Sequence, residues 1–305
     1  MTPRAPVPTL VWTALLPALV AGAVGLEVVR DRWYGAAPSG ESVLYVRSPA
    51  AVKRAALSYA AVLGDVYWIR TLQYYGGTRL SKDKQKDYAL LAPLLDITTT
   101  LDPRFRIAYR FGAIFLAEPM PGGAGRPDLA IALLEKGAKA QPHYWAYLQD
   151  IGFVHYWWIG DFHEAARWFQ KASEIPGAPL WLRSLAAVTL TQGGDRRGSR
   201  ILWQSLLSTA EDEWLRRNAS LRLAQLDALD EIDRLQGAVR DFASRFGTFP
   251  GWEALRGVGV IRSVPHLDPA GVPYVLDGLT GIVTVSPASP LHPLPTGERI
   301  QFAPR

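Results

Sequence analysis

Residues Gly160 to Pro176 read GDFHEAARWFQKASEIP, and this stretch decides the fold. Gly160-Asp161 makes a turn. Ala165, Phe169 and Ala172 then recur at helical spacing, small, large, small, and Pro176 closes the unit. Small residues let two helices approach closely, and an aromatic ring fills the gap between neighbours. The preceding stretch, Tyr147 to Ile159, supplies a first helix with Gly152 and Tyr156 on it. Together they predict a helical hairpin.

The pattern recurs in both directions. Before it, Tyr109, Gly112 and Phe115 mark a first helix, and Ala130, Leu134 and Gly137 mark a second that closes at Pro142. The loop between them, Glu118 to Pro127, is rich in Gly and Pro. Further upstream, Leu63-Gly64 and Tyr67 open a unit whose second helix, Tyr88 to Thr99, closes at Asp102-Pro103. A polar, Lys-rich insertion, Gly76 to Asp87, separates the two helices. Downstream, Leu182, Ala186, Ala187 and Leu190 are followed by a turn at Gly193-Gly194-Asp195, then by Ser199, Trp203 and Leu206. A fifth, degenerate unit pairs Arg216–Leu229 with Glu231–Phe246 and closes at Pro250.

These five units resemble the tetratricopeptide repeat (TPR), a helical hairpin with a period of about 34 residues. The resemblance covers residues 55–250 and implies an all-α solenoid of about five hairpins. The insertions in the first two units depart from the family pattern. In the family, first helices of successive hairpins line a concave groove that takes extended peptides or helices. Carried onto this chain, the groove positions are Asp65, Trp68, Arg106, Tyr109, Tyr147, Asp150, Val154, Trp157, Trp181 and Ser184.

The ends of the chain differ from its middle. From Ala5 to Leu26 no charge occurs, and Arg4 precedes the run while Glu27, Arg30, Asp31 and Arg32 follow it. A bilayer-spanning helix needs about 20 apolar residues. Residues 1–36 therefore read as one N-terminal transmembrane signal-anchor, with the membrane met through residues 8–29. A cleavable signal peptide, with Ala21-Gly22-Ala23 as its small-residue site, is the other reading left open. Residues 37–54 read as a linker. After Trp252, Val, Pro, Gly and Asp dominate. Tyr274–Leu276 and Ile282–Val285, separated by Asp277-Gly-Leu-Thr-Gly281, read as a small β-hairpin, so that 251–288 is a small β-containing appendage. The string Asp268-Pro-Ala-Gly-Val-Pro-Tyr274 is similar to a short motif near the C-terminus of type II secretion major pseudopilins. There such a loop orders the end of a small sheet and can hold calcium. The apolar run Phe246, Phe249, Trp252, Leu255 and Val258 and the open end of a solenoid both need cover. Residues 253–287 are therefore expected to dock on the last repeat, with Tyr274 and Val285 facing the helices. Residues 289–305 read as an extended tail.

Composition narrows the function. The chain of 305 residues carries a net charge of +5 and no cysteine, which excludes disulfides, thiol catalysis and Cys–zinc sites. Its densest basic run, Lys82 to Lys86, is broken by Asp83, which argues against nucleic acid as partner. The five histidines form no HExxH spacing, and no phosphate loop, nucleophile elbow or Ser/His/Asp spacing occurs. No catalytic residue, metal ligand or cofactor is indicated. The expectation is a scaffold, not an enzyme: a single-pass protein of the bacterial inner membrane with its TPR domain in the periplasm, binding a protein or peptide partner in the groove. The alternative is an assembly factor of a secretion or pilus machine that acts through the membrane anchor.

Overall fold

The computed structural model describes residues 48–295 and short stretches between positions 18 and 32. The anchor expected at 1–36 lies largely outside the described residues, as do 37–47 and 296–305. Among the described residues no helix is long and apolar enough to cross a membrane. The described residues are mostly helical with one two-stranded sheet, and the chain divides into two compact units, the first ending at Asp102 and the second running from Pro103.

In the first unit, α1 spans Pro49–Ala56, α2 Ala60–Leu80 and α3 Leu91–Leu101. The expected linker thus ends at Ser48. The Ser48 hydroxyl accepts from the Ala51 N–H at 3.3 Å, and Pro49 starts the first turn, where its missing N–H costs nothing. α2 and α3 pack on each other and bury Tyr67, Leu94, Ile97 and Leu101 with Val52 and Ala56 from α1. α2 runs five residues into the expected insertion and ends at Leu80, and Tyr74 ties the following loop down by donating from its hydroxyl to the Asp87 carbonyl at 2.6 Å.

In the second unit, α4 (Arg106–Ala117), α5 (Pro127–Ala140), α6 (Ala146–Val154), α7 (Phe162–Ser173), α8 (Trp181–Gln192) and α9 (Arg196–Thr209) follow in order. Each packs on the next, and α4 also touches α6. The α6–α7 pair carries the small–large–small pattern into the core. Ala165, Phe169 and Ala172 are fully buried, and the close approach occurs where Gly152 faces Phe169. A Cβ on Gly152 would sit 2.5 Å from the Phe169 ring. α7 is capped by Asp161, which accepts from the Glu164 N–H at 2.9 Å, and α9 by Asp195, which accepts from Gly198 at 2.8 Å.

The fifth hairpin is absent. Glu213–Phe246 is one continuous helix, α10. No Gly or Pro interrupts the chain at Leu229–Glu231, so nothing stops helix propagation there. The acidic residues along this part of α10 form a row of ion-pair partners. Arg196 reaches Asp230 and Asp233 at 3.2 and 2.6 Å, and Arg200 reaches Asp230 at 2.5 Å and also pairs with Asp227. The first half of α10 packs on α9 through Leu215, Ala219 and Leu226 against Trp203 and Leu206.

The second half of α10 is covered by the tail. α11 (Trp252–Gly257) leads to β1 (Val275–Leu276) and β2 (Val283–Thr284), an antiparallel pair with Val275 opposite Thr284. Leu255, Ile261, Tyr274, Val283, Val285 and Leu291 form one core with Ala228, Leu235 and Val239 of α10. Tyr274 and Val285 therefore do face the helix. Gln236 fastens the hairpin, its side chain donating to the Gly281 carbonyl at 2.7 Å and accepting from the Val283 N–H at 3.0 Å. Order continues past Val285: Ser289 and Leu291 are buried, and Gln225 donates to the Leu291 and Pro293 carbonyls at 2.9 and 3.1 Å. The extended tail expected from 289 is thus folded as far as Pro295.

Candidate functional site

Three of the expected groove positions are core. Tyr109, Tyr147 and Val154 are buried. Gly137 on α5 is the physical reason for the first two: it leaves a slot into which both rings fit, with Tyr109 Cδ1 3.0 Å and Tyr147 Cζ 3.1 Å from where a Cβ would lie. The rings meet edge-to-face at 5.3 Å. The Tyr147 hydroxyl accepts from Gln141 Nε2 at 2.8 Å, and burial raises its phenol above the usual range. These residues hold hairpins together and offer nothing to a partner.

Around them stands an ordered polar rim. Gln141 also donates to the Pro103 carbonyl at 3.2 Å and accepts from Arg106 Nε at 3.0 Å. That bond holds the Arg106 guanidinium over the Tyr144 ring, 4.1 Å from its centroid, within cation–π range. Arg106 is exposed, so its outer face is presented to solvent on a rigid aromatic base. One turn along α4, Arg110 grips Asp150 of α6 in a fork, Nε to Oδ2 at 2.5 Å and Nη2 to Oδ1 at 2.9 Å. The bond to Asp150 raises the Arg110 guanidinium further above its usual range. Burial pushes the Asp150 carboxyl up while Arg110 pulls it back. Asp150, expected to meet a ligand, is thus occupied by Arg110. Arg110 escaped the sequence reading because its partner lies 40 residues away; the one local signal was its place one turn after Arg106.

Trp157, Trp181 and Arg106 do reach the surface. α6 ends in one turn of π-helix, His155–Ile159, and Gly160 and Asp161 both donate their N–H to the His155 carbonyl at 2.7 and 3.1 Å. Gly160 takes φ of +79°, the left-handed region that an L side chain rarely adopts. The extra residue in the π-turn rotates the following side chains relative to a regular helix, and Trp157 and Ile159 emerge 47% and 43% exposed. Trp157 rests edge-on against Tyr156, whose hydroxyl bonds Gln192 at 2.7 Å. Trp181, at the start of α8, packs edge-on against Trp145, and Leu180 beside it is exposed. Ser184, one turn further, keeps its hydroxyl oxygen buried with no hydrogen-bond partner. A shallow pocket of about 270 Å³ lies among α7, α8 and α9, lined by Gln170, Glu174, Arg183, Ser205 and Thr209. None of the expected groove residues lines it.

In the first unit, Asp65 is exposed and Trp68 is half-buried on α2. Among the described residues no group of three or more His, Asp or Glu side chains is placed to hold a metal ion. Asp268 and Asp277 are each used by their own turn. Asp268 accepts from the Ala270 and Val272 N–H groups at 2.9 and 2.8 Å and from the Ser289 hydroxyl at 2.5 Å. Asp277 accepts from the Leu279 N–H at 2.8 Å and the Thr280 hydroxyl at 2.7 Å. The likeness of the Asp268–Tyr274 string to a calcium loop is therefore a likeness of turn. Compared with protein families, curated proteins and solved structures, the chain matches none of them.

Proposed function

We propose that this chain is a binding scaffold of TPR-like helical hairpins, tethered to the bacterial inner membrane by its N-terminal apolar stretch, that holds a protein or peptide partner from the periplasmic side. One observation carries the reading. In the hairpins of the second unit, exposed large apolar side chains gather on the first helices: Ile107, Phe111 and Ile114 on α4, Trp157 and Ile159 at the end of α6, Leu180 and Trp181 at the start of α8. The second helices carry one, Ile201 on α9. A surface that keeps aromatic and branched side chains on one set of helices, beside an oriented arginine, suits recognition better than solvation. A TPR scaffold presents its partners to that same set of helices. The packing of each helix on the next, and of α4 on α6, supports the repeat reading.

Site-specific photo-crosslinking in intact cells tests this. A crosslinker at Trp157 or Trp181 is expected to trap a discrete adduct, and one at Glu135 on α5 is not. Equal labelling from all three positions, or none from any, overturns the scaffold reading.

A further inference from the structure

We infer that the first unit lies on the bilayer surface, with α2 parallel to the membrane and its outer apolar stripe in the interface. The inference rests on the tethered reading above. Val62, Val66 and Ile69 fall within one face of α2 at about 100° per residue, and they are 59%, 38% and 53% exposed. Past exposed Gln73, which interrupts the line, Leu80 falls on it again at 84%, while Leu57 and Tyr59 extend it before the helix at 82% and 71%. Leu72 sits on the edge of the stripe at 40%. Among the described residues of the first unit, the core with α1 and α3 uses Tyr67 and its neighbours on the other side of α2 and leaves this face open.

Three features point to lipid as the occupant. Basic residues bracket the stripe: exposed Lys53 and Arg54 before it, and exposed Arg79, Lys82 and Lys84 after it, where they outnumber the interposed Asp83. That is the charge arrangement an anionic headgroup layer attracts. Tyr59 lies at one end, an amphipathic ring of the type that favours the headgroup level. The sequence then sets the distance. From Arg30 to Arg47 are 18 residues, which extend at most about 60 Å, so an anchored chain holds α2 within reach of the surface and raises its effective concentration there. Asp65, at the margin of the stripe, stays at headgroup level in this pose.

The absence of cysteine makes the test direct. The full chain is prepared with single substitutions Val62→Cys, Ile69→Cys, Leu15→Cys and Glu135→Cys. Each is labelled with an environment-sensitive fluorophore and reconstituted into phosphatidylcholine/phosphatidylglycerol vesicles carrying a shallow doxyl-labelled lipid. Labels at 62 and 69 are expected to shift to the blue and lose intensity to the doxyl group, while the label at 135 keeps its intensity. Unquenched labels at 62 and 69 overturn the proposal, and a blue shift without quenching overturns it in favour of a protein covering the stripe. Quenching at 15 but not at 62 and 69 rejects the surface pose and keeps the tether. Quenching at 62 and 69 but not at 15 keeps the surface pose and rejects the tether.

Discussion

Two long helices of this molecule meet the same difficulty and resolve it differently. α2 and α10 each carry more apolar surface than one neighbouring helix covers. On α10 the excess, Leu235 and Val239, disappears under Tyr274, Val283, Val285 and Leu255 of the chain's own tail. On α2 the excess, Val62, Val66 and Ile69, remains open. A two-stranded hairpin is marginal alone in water, so the tail and α10 stabilise one another; the stripe on α2 has no such partner among the described residues of its unit. Apolar patterning therefore says that a face needs cover, and only the fold says whether the chain supplies it.

Truncation should separate the two helices most strongly. Leu235→Ala removes a fully buried side chain and is expected to cost about 2–5 kcal/mol; Ile69→Ala, half in water already, should stay within about 0.5 kcal/mol in lipid-free solution. Urea unfolding followed by circular dichroism measures both. Equal losses at the two positions would mean that α2 is covered in solution.

Glycines sharpen the same contrast. Gly152→Ala drives a methyl against the Phe169 ring, at 2.5 Å before relaxation, and should destabilise the α6–α7 hairpin by about 1–3 kcal/mol. Gly77→Ala on α2 meets nothing within 4 Å, and should stabilise by up to about 1 kcal/mol through helix propensity. Thermal melts of the two variants are expected to move in opposite directions.

The tail's own order depends on Asp268, which is buried and takes three hydrogen bonds from the 270–272 turn and Ser289. Asp268→Ala leaves those donors unpaired, a loss of about 1–3 kcal/mol. Limited proteolysis should then cut between Ala270 and Ser289, while α2 keeps its native protection. A tail as resistant as wild type would show that the apolar contacts suffice.

The smallest effect expected is a pH dependence. Hydrogen bonds from Arg234, and also from His266, hold the Glu231 carboxyl below its usual range against the opposing effect of burial. A depressed carboxylate contributes stability that is present above its unfolded pKa, about 4.3, and is lost as pH falls through the lower folded value. The partners are partly solvated, so the contribution is at most about 1 kcal/mol. Melting temperatures of wild type and Glu231→Gln should differ near neutral pH and converge in acid; a difference that persists there would assign it to packing.

The chain alone determined the local units. Ala165, Phe169 and Ala172 were readable because helix–helix contact repeats every three or four residues, and the Asp277–Gly281 turn was readable because its chemistry is contained in five consecutive positions. Tertiary structure decided everything that depends on distant partners. Tyr109 and Tyr147 look like groove residues by position, yet the slot at Gly137 draws both rings inside. Asp227 and Asp230 look like a solvated helix face until Arg196 and Arg200 arrive from α9. Asp150 looks available until Arg110 closes on it. In each case the burial or pairing of a side chain is fixed by a residue tens of positions away, and no local period carries that information.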